Sequence, residues 1–161
     1  MNYQEFTSKF KLLATKASYD SQLNLAKSVC KKLFFDYQLF CDKNNWGDPD
    51  MLLDAIKIIE NENSVTVDKA LIKKMVDSIE MITPDTEDFE NASYALNACV
   101  SVCESLEFLV DKNAEHIYII GTMLTDTTDF KIHEKWGLTQ PQIDQHPLMI
   151  EARTYLLGLA T

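Results

Sequence analysis

Residues Tyr19–Pro49, YDSQLNLAKSVCKKLFFDYQLFCDKNNWGDP, decide the fold. Within them Tyr19, Leu23, Ala26, Val29, Cys30, Leu33, Tyr37, Phe40 and Cys41 recur at three- and four-residue steps, tracing one stripe down about six turns of helix. So long a stripe needs a partner surface along its whole length. Phe35 and Leu39 fall on nearly the opposite side, among Lys31, Lys32 and Gln38, which predicts a helix covered from two directions in its lower half, and so a central one. At its end Asn44, Asn45 and Gly47 suit the left-handed backbone of a helix stop. Asp48 and Pro49 then restart a helix as N-cap and first-turn residue.

On either side the same period continues. Tyr3, Phe6, Phe10, Leu13, Ala14 and Ala17 line a first helix over Tyr3–Lys16, with Ser18 and Asp20 placed to cap its successor. Leu52, Ala55, Ile56 and Ile59 form a third stripe that dissolves in Asn61–Ser64. Thr66 is placed to cap a fourth helix bearing Leu71, Ile72, Met75, Ile79 and Ile82, which Pro84 stops at Thr83. A fifth presents Ala95, Ala98, Cys99, Val102, Cys103, Leu106 and Leu109; a sixth, capped by Asn113, presents Ile117, Ile120, Gly121 and Leu124. The pattern weakens from Thr125: Phe130, Ile132 and Trp136 suggest an extra turn or two before Gly137, and Gln140–His146 reads as a loop. Pro147 starts a last helix with Leu148, Ala152, Tyr155, Leu156 and Leu159 inward. No strand pattern competes, so the expectation is an all-α single-domain bundle of six to eight helices with short loops, spanning residues 1–161. The echo between Asp85–Phe89 and Asp126–Phe130 has unlike flanks and is not a repeat.

Composition narrows the function. The length of 161 residues suffices for a self-supporting core, and no apolar run approaches the roughly 18 residues of a membrane span. A net charge of −10 with Arg153 as the only arginine argues against nucleic acid or an anionic membrane as partner, because both demand clustered cations. Four scattered glycines form no phosphate cradle. The N-terminus lacks a basic start followed by an apolar segment, and Cys30, Cys41, Cys99 and Cys103 sit on apolar stripes as reduced thiols. Both features fit a cytoplasmic protein.

Three segments together resemble the YjaG-like family of uncharacterised bacterial proteins: Tyr37–Pro49; Ile82–Phe89 leading to Ala95–Val100; and the later Glu115-His116 and His146-Pro147-Leu148. Order and spacing agree over roughly Leu25 to Leu157. The resemblance implies an all-helical fold and brings no established activity, substrate or catalytic residue. It marks Phe40, Cys41, Gly47, Asp48, Pro49, Pro84 and Phe89 as signature positions with a structural part to play. Two departures stand out: Leu33–Asp36 replaces an arginine-containing run ending in Pro-Asn, and the chain stops about where relatives continue into a helical tail. The second suggests an exposed last helix and self-association.

Candidate sites are few. Asp85, Glu87 and Asp88, with Glu90, form the most acidic short stretch and could offer oxygen ligands to Mg²⁺; acids before a helix equally cap its N–H groups and complement its dipole, which is the reading preferred here. Whether Asp48, Asp50 or Asp54 joins that loop depends on the fold. Glu87-x-x-Glu90 and Glu104-x-x-Glu107 loosely resemble the paired motifs of all-α pyrophosphohydrolases, yet Glu104, Glu107 and Asp111 lie opposite the apolar stripe and are expected on the solvated face. His116 is expected to help a helix start, His146 to cap the last helix, and His133 to meet Asp129 on one helix face. Cys99 and Cys103 are expected in core packing rather than on a metal. Trp46 is expected as a lid on the core. No pattern calls for a cofactor or a metal, and no nucleophile signature is present. The sequence thus points to a non-catalytic binding or interaction module, its partner an unknown protein or a second copy of itself. The alternative is a Mg²⁺-dependent hydrolase of a phosphate or nucleotide substrate using Asp85, Glu87 and Asp88.

Overall fold

A computed structural model describes residues 1–61 and 67–161. Its described residues form eight helices and no strand: α1 (Tyr3–Lys16), α2 (Tyr19–Asn44), α3 (Pro49–Asn61), α4 (Lys69–Met81), α5 (Ala92–Asp111), α6 (Ala114–Trp136), α7 (Gln140–Asp144) and α8 (Pro147–Leu159). The helix starts follow local chemistry. Asn2 and Glu5 form a reciprocal capping box on α1, Ser18 accepts from the Ser21 N–H on α2, and Asn113 accepts from the Glu115 N–H on α6. The cap of α4 is Asp68, which accepts from the Ala70 and Leu71 N–H groups; Thr66, expected there, lies outside the described residues.

The predicted stripe of α2 is buried from Leu23 to Cys41, so this helix is central, but it shares the centre with α5. Helix α5 packs on α2, α3, α4 and α6, and α2 on α3, α5, α6 and α8. Between α2 and α5 the contact is made in part by short, polar side chains: the Cys30 thiol lies 3.3 Å from the Ser101 carbonyl oxygen and 3.1 Å from Ser105 Oγ, with Ser101 and Ser105 fully buried. Short side chains let the two backbones approach, and each hydroxyl is satisfied by a carbonyl one turn back. One apolar core runs through α1 to α6 and α8, with a satellite of Ile132, Ile143 and Met149 under α7.

Several expectations need correction. Phe35 and Leu39 are 67% and 60% exposed, so among the described residues no second layer covers them on the outer face of α2. The weak stretch after Thr125 is a continuation of α6 to Trp136. Its apolar period is broken by buried Thr125 and Thr127, whose hydroxyls are satisfied by the Thr122 carbonyl and by Asn97. Residues expected as a loop form α7, opened by the Thr139 N–H donating to Gln142 Oε1. On α8, Leu148 faces outward and Met149 and Arg153 face inward. Arg153 is only 4% exposed because Asp144 of α7 accepts from it at 2.7 Å, the Met1 carbonyl at 2.9 Å, and its guanidinium lies over the Phe6 ring. Leu71, expected inward on α4, is half exposed. No described helix is long and apolar enough to cross a membrane.

Candidate functional site

Three regions stand out among the described residues. The first is the junction of the two signature loops. Tyr37, fully buried on α2, donates its hydroxyl to the Ile82 carbonyl at 2.7 Å and accepts from the Asp48 N–H at 3.1 Å, tying the α2–α3 turn to the end of α4. Burial pushes its hydroxyl far above the ordinary phenol range. Asn45 and Gly47 take left-handed conformations, and a Cβ on Gly47 would stand 2.7 Å from the Tyr37 oxygen and 2.8 Å from Cys41 Sγ. Asp48 caps α3 by accepting from the Met51 N–H at 3.0 Å. Phe40, Trp46 and Phe89 close the junction with ring centroids 5.2–6.1 Å apart, so Trp46 does lie against the core. The two close partners of the Tyr37 hydroxyl are backbone groups, and the Cys41 side chain lies beside them.

The second region is the acidic loop and the groove beside it. Asp85 caps its own turn by accepting from the Glu87 N–H at 2.9 Å, while Pro84 beneath it is buried. The acids do not cap α5: the residue before that helix is Asn91, in a left-handed conformation and without a side-chain cap. Asp85, Glu87 and Asp88 are all exposed. Asp85 opens on a groove of about 390 Å³ between the end of α4 and α5, shared with Glu80, Glu104, Glu107 and the Cys99–Cys103 turn. Asp48, Asp50 and Asp54 line a different groove, against Lys74 and Met75 of α4. Burial pushes the Cys99 and Cys103 thiols up to about 12, so neither is a thiolate nucleophile near neutrality.

Bordering that groove is a cluster the sequence reading dispersed. Glu104, Glu107 and Asp111 were expected on a plain solvated face. Instead the two-residue turn Lys112–Asn113 reverses the chain, so His116, in the first turn of α6, comes back over the last turns of α5. His116 Nδ1 lies 2.5 Å from Glu104 Oε2 and 4.0 Å from Glu107 Oε2, and its Nε2 lies 2.8 Å from Asp111 Oδ2. The imidazole is only 14% exposed. Burial alone would lower its pKa, but the hydrogen bonds that Asp111 and Glu104 accept from it, and then their charges, outweigh that and raise it. Burial would likewise raise Asp111, which is instead held below the usual carboxylate range by His116 and the Asn113 N–H. The legible signal was Glu104-x-x-Glu107 followed, across a two-residue turn, by a histidine in the next helix's first turn. The other two histidines have plainer roles: His146 Nδ1 accepts from the Leu148 N–H as the α8 cap, and His133 turns to the Leu138 carbonyl rather than to Asp129.

The third region is the outer face of α2. Phe35 and Leu39 lie one turn apart on it, flanked along the same face by exposed Lys31 and Asp42. Alongside runs a groove of about 290 Å³ between α2, α6 and α8, bordered by Lys32 over the Tyr155 ring and by the 2.6 Å ion pair of Asp36 with Lys131.

A helical bundle, of eight helices among the described residues, with α2 and α5 at its centre, two loops locked by Tyr37 and an acid–histidine corner is thus the structural class. The family model of DUF416, a protein of unknown function, matches residues 9–156, and the chain belongs to that family. Its fold is similar to the crystal structure of a DUF416 family protein from Shewanella baltica OS155 at 1.91 Å resolution, with a TM-score of 0.80 and 22% sequence identity over 94% of this chain and 83% of that one. At that identity the likeness shows the fold alone. No curated protein matches.

Proposed function

We propose that this protein, whose three signature segments resemble those of the YjaG-like proteins, is a non-catalytic cytoplasmic interaction module whose contact surface is the outer face of α2, and that its first partner is a second copy of itself. The observation carrying this reading is the exposure of Phe35 and Leu39 in the middle of the longest helix. Two large side chains one turn apart on a solvated face are costly in water and gain by mutual burial. The face is also self-complementary. Lys31, Phe35, Leu39 and Asp42 share one stripe, and a second copy laid antiparallel along it brings Lys31, which within its own chain reaches Glu60 at 3.4 Å, against Asp42 of that copy at both ends, as a two-fold contact requires. Overall charge of −10 opposes association at low ionic strength, so the dimer belongs at about 0.15 M salt, where the screening length is about 8 Å.

The test is size-exclusion chromatography with light scattering over a concentration series. Wild type is expected to shift from monomer to dimer, and Phe35→Asp to weaken that at least about tenfold, roughly 1.4 kcal/mol. A wild type that stays monomeric throughout, or a variant that dimerises equally well, overturns the reading. The alternative, a Mg²⁺-dependent hydrolase using Asp85, Glu87 and Asp88, draws support from Asp85 opening on the same groove as Glu104 and Glu107. Metal-dependent turnover of a phosphate ester, lost in Asp88→Asn with an unchanged melting temperature, would put it ahead.

A further inference from the structure

We propose that Glu104, Glu107 and His116 form a binding site for a divalent transition metal, Zn²⁺ foremost, with Asp111 positioning the histidine ring. Their ligand atoms, one from each residue, lie within 4.8 Å of one another. Two come from positions three apart on α5 and the third from the first turn of α6, so two helices joined by a two-residue turn present them from different directions. An imidazole nitrogen with two carboxylates is a borderline donor set. It suits Zn²⁺ better than Mg²⁺ or Ca²⁺, which favour oxygen alone.

The ring is already oriented for the purpose. Asp111 faces Nε2 at 2.8 Å and is itself fixed by the Asn113 N–H at 2.8 Å, so Nε2 carries a proton and Nδ1 is turned to the two glutamates. A carboxylate on the far nitrogen of a metal-bound histidine is the usual arrangement for holding tautomer and ring angle.

Charge favours a cation there. With the ring protonated, three carboxylates face one positive charge and two negative charges are left over; with a neutral ring and a divalent ion, one is left. Glu80 and Asp85 along the groove add to the negative field, while Lys69 and Lys73, with Asp77, line the neighbouring groove that Glu107 and Asp111 share. Binding exchanges the proton between Nδ1 and Glu104 for the ion. The two donors must then open from 2.5 Å to roughly 3.3 Å, the separation that metal–ligand bonds of about 2.0–2.1 Å set at a tetrahedral centre. Glu107, half exposed and 4.0 Å from Nδ1, closes on the third position, and water completes the set.

The test is calorimetric titration of the chelator-stripped full chain with Zn²⁺, repeated in millimolar Mg²⁺. One Zn²⁺ per chain is expected, undiminished by Mg²⁺. Glu107→Gln should remove it while leaving the helical circular dichroism and melting temperature of the metal-free protein unchanged, since Glu107 makes no close contact that the fold needs. Asp111→Asn, which keeps an oxygen for the Asn113 N–H and alters the partner of the ring's far nitrogen, should weaken it about 10- to 100-fold. Absence of stoichiometric Zn²⁺ binding, full competition by Mg²⁺, or equal affinity in Glu107→Gln would each overturn the proposal.

Discussion

Tyr37 and Phe35 stand two residues apart on the same helix and have opposite surroundings. Tyr37 is enclosed at the junction of two loops with both hydroxyl hydrogen-bonding roles filled by backbone; Phe35 is two-thirds exposed. Both are aromatic and both lie in an apolar run, so helical period alone grants each a partner surface. The inner face is where α2 holds the fold together, and the outer face is where the molecule has surface to offer. Conspicuous signature residues therefore belong mainly to the first face.

The largest effect is expected on the inner face. Tyr37→Phe keeps the ring but leaves the Ile82 carbonyl and the Asp48 N–H without their partner, and should cost about 2–3 kcal/mol in urea denaturation, with the α2–α3 turn and the end of α4 loosening together in hydrogen exchange. A loss under about 0.5 kcal/mol would show that the two loops are held by ring packing alone. On the outer face, Phe35→Asp should leave monomer stability within about 0.5 kcal/mol of wild type, because a two-thirds exposed ring makes little of the core. A large loss there would mean that the face is part of the fold after all, and the contrast with Tyr37 would fail.

Much of this was legible in the sequence. The run of apolar positions from Tyr19 to Cys41, the stop at Asn44–Gly47 and the Asp48 cap follow from period and cap chemistry, because each depends on neighbours within one or two turns. What escaped was decided by distant segments. Phe35 and Leu39 look like a second buried face, yet among the described residues no helix covers them. Thr125 and Thr127 interrupt the stripe of α6, yet the helix continues because Asn97 of α5 reaches Thr127. Arg153 could be placed inside only once Asp144 and the chain start were known to surround it. Glu104, Glu107 and Asp111 do lie opposite the apolar stripe of α5, as the helical wheel predicts, but the wheel cannot show that His116 folds back over them.

The proposal that α2 meets a second copy of itself is tested most directly by exchanging its end charges. In sedimentation velocity across a concentration series, Lys31→Asp alone and Asp42→Lys alone should each weaken the dimer by setting like charges together, and the double exchange should restore it. Restoration by the double variant is the result this account predicts. If the double variant associates no better than either single one, or none of the three differs from wild type, α2 does not pair with α2 and the proposed contact is wrong.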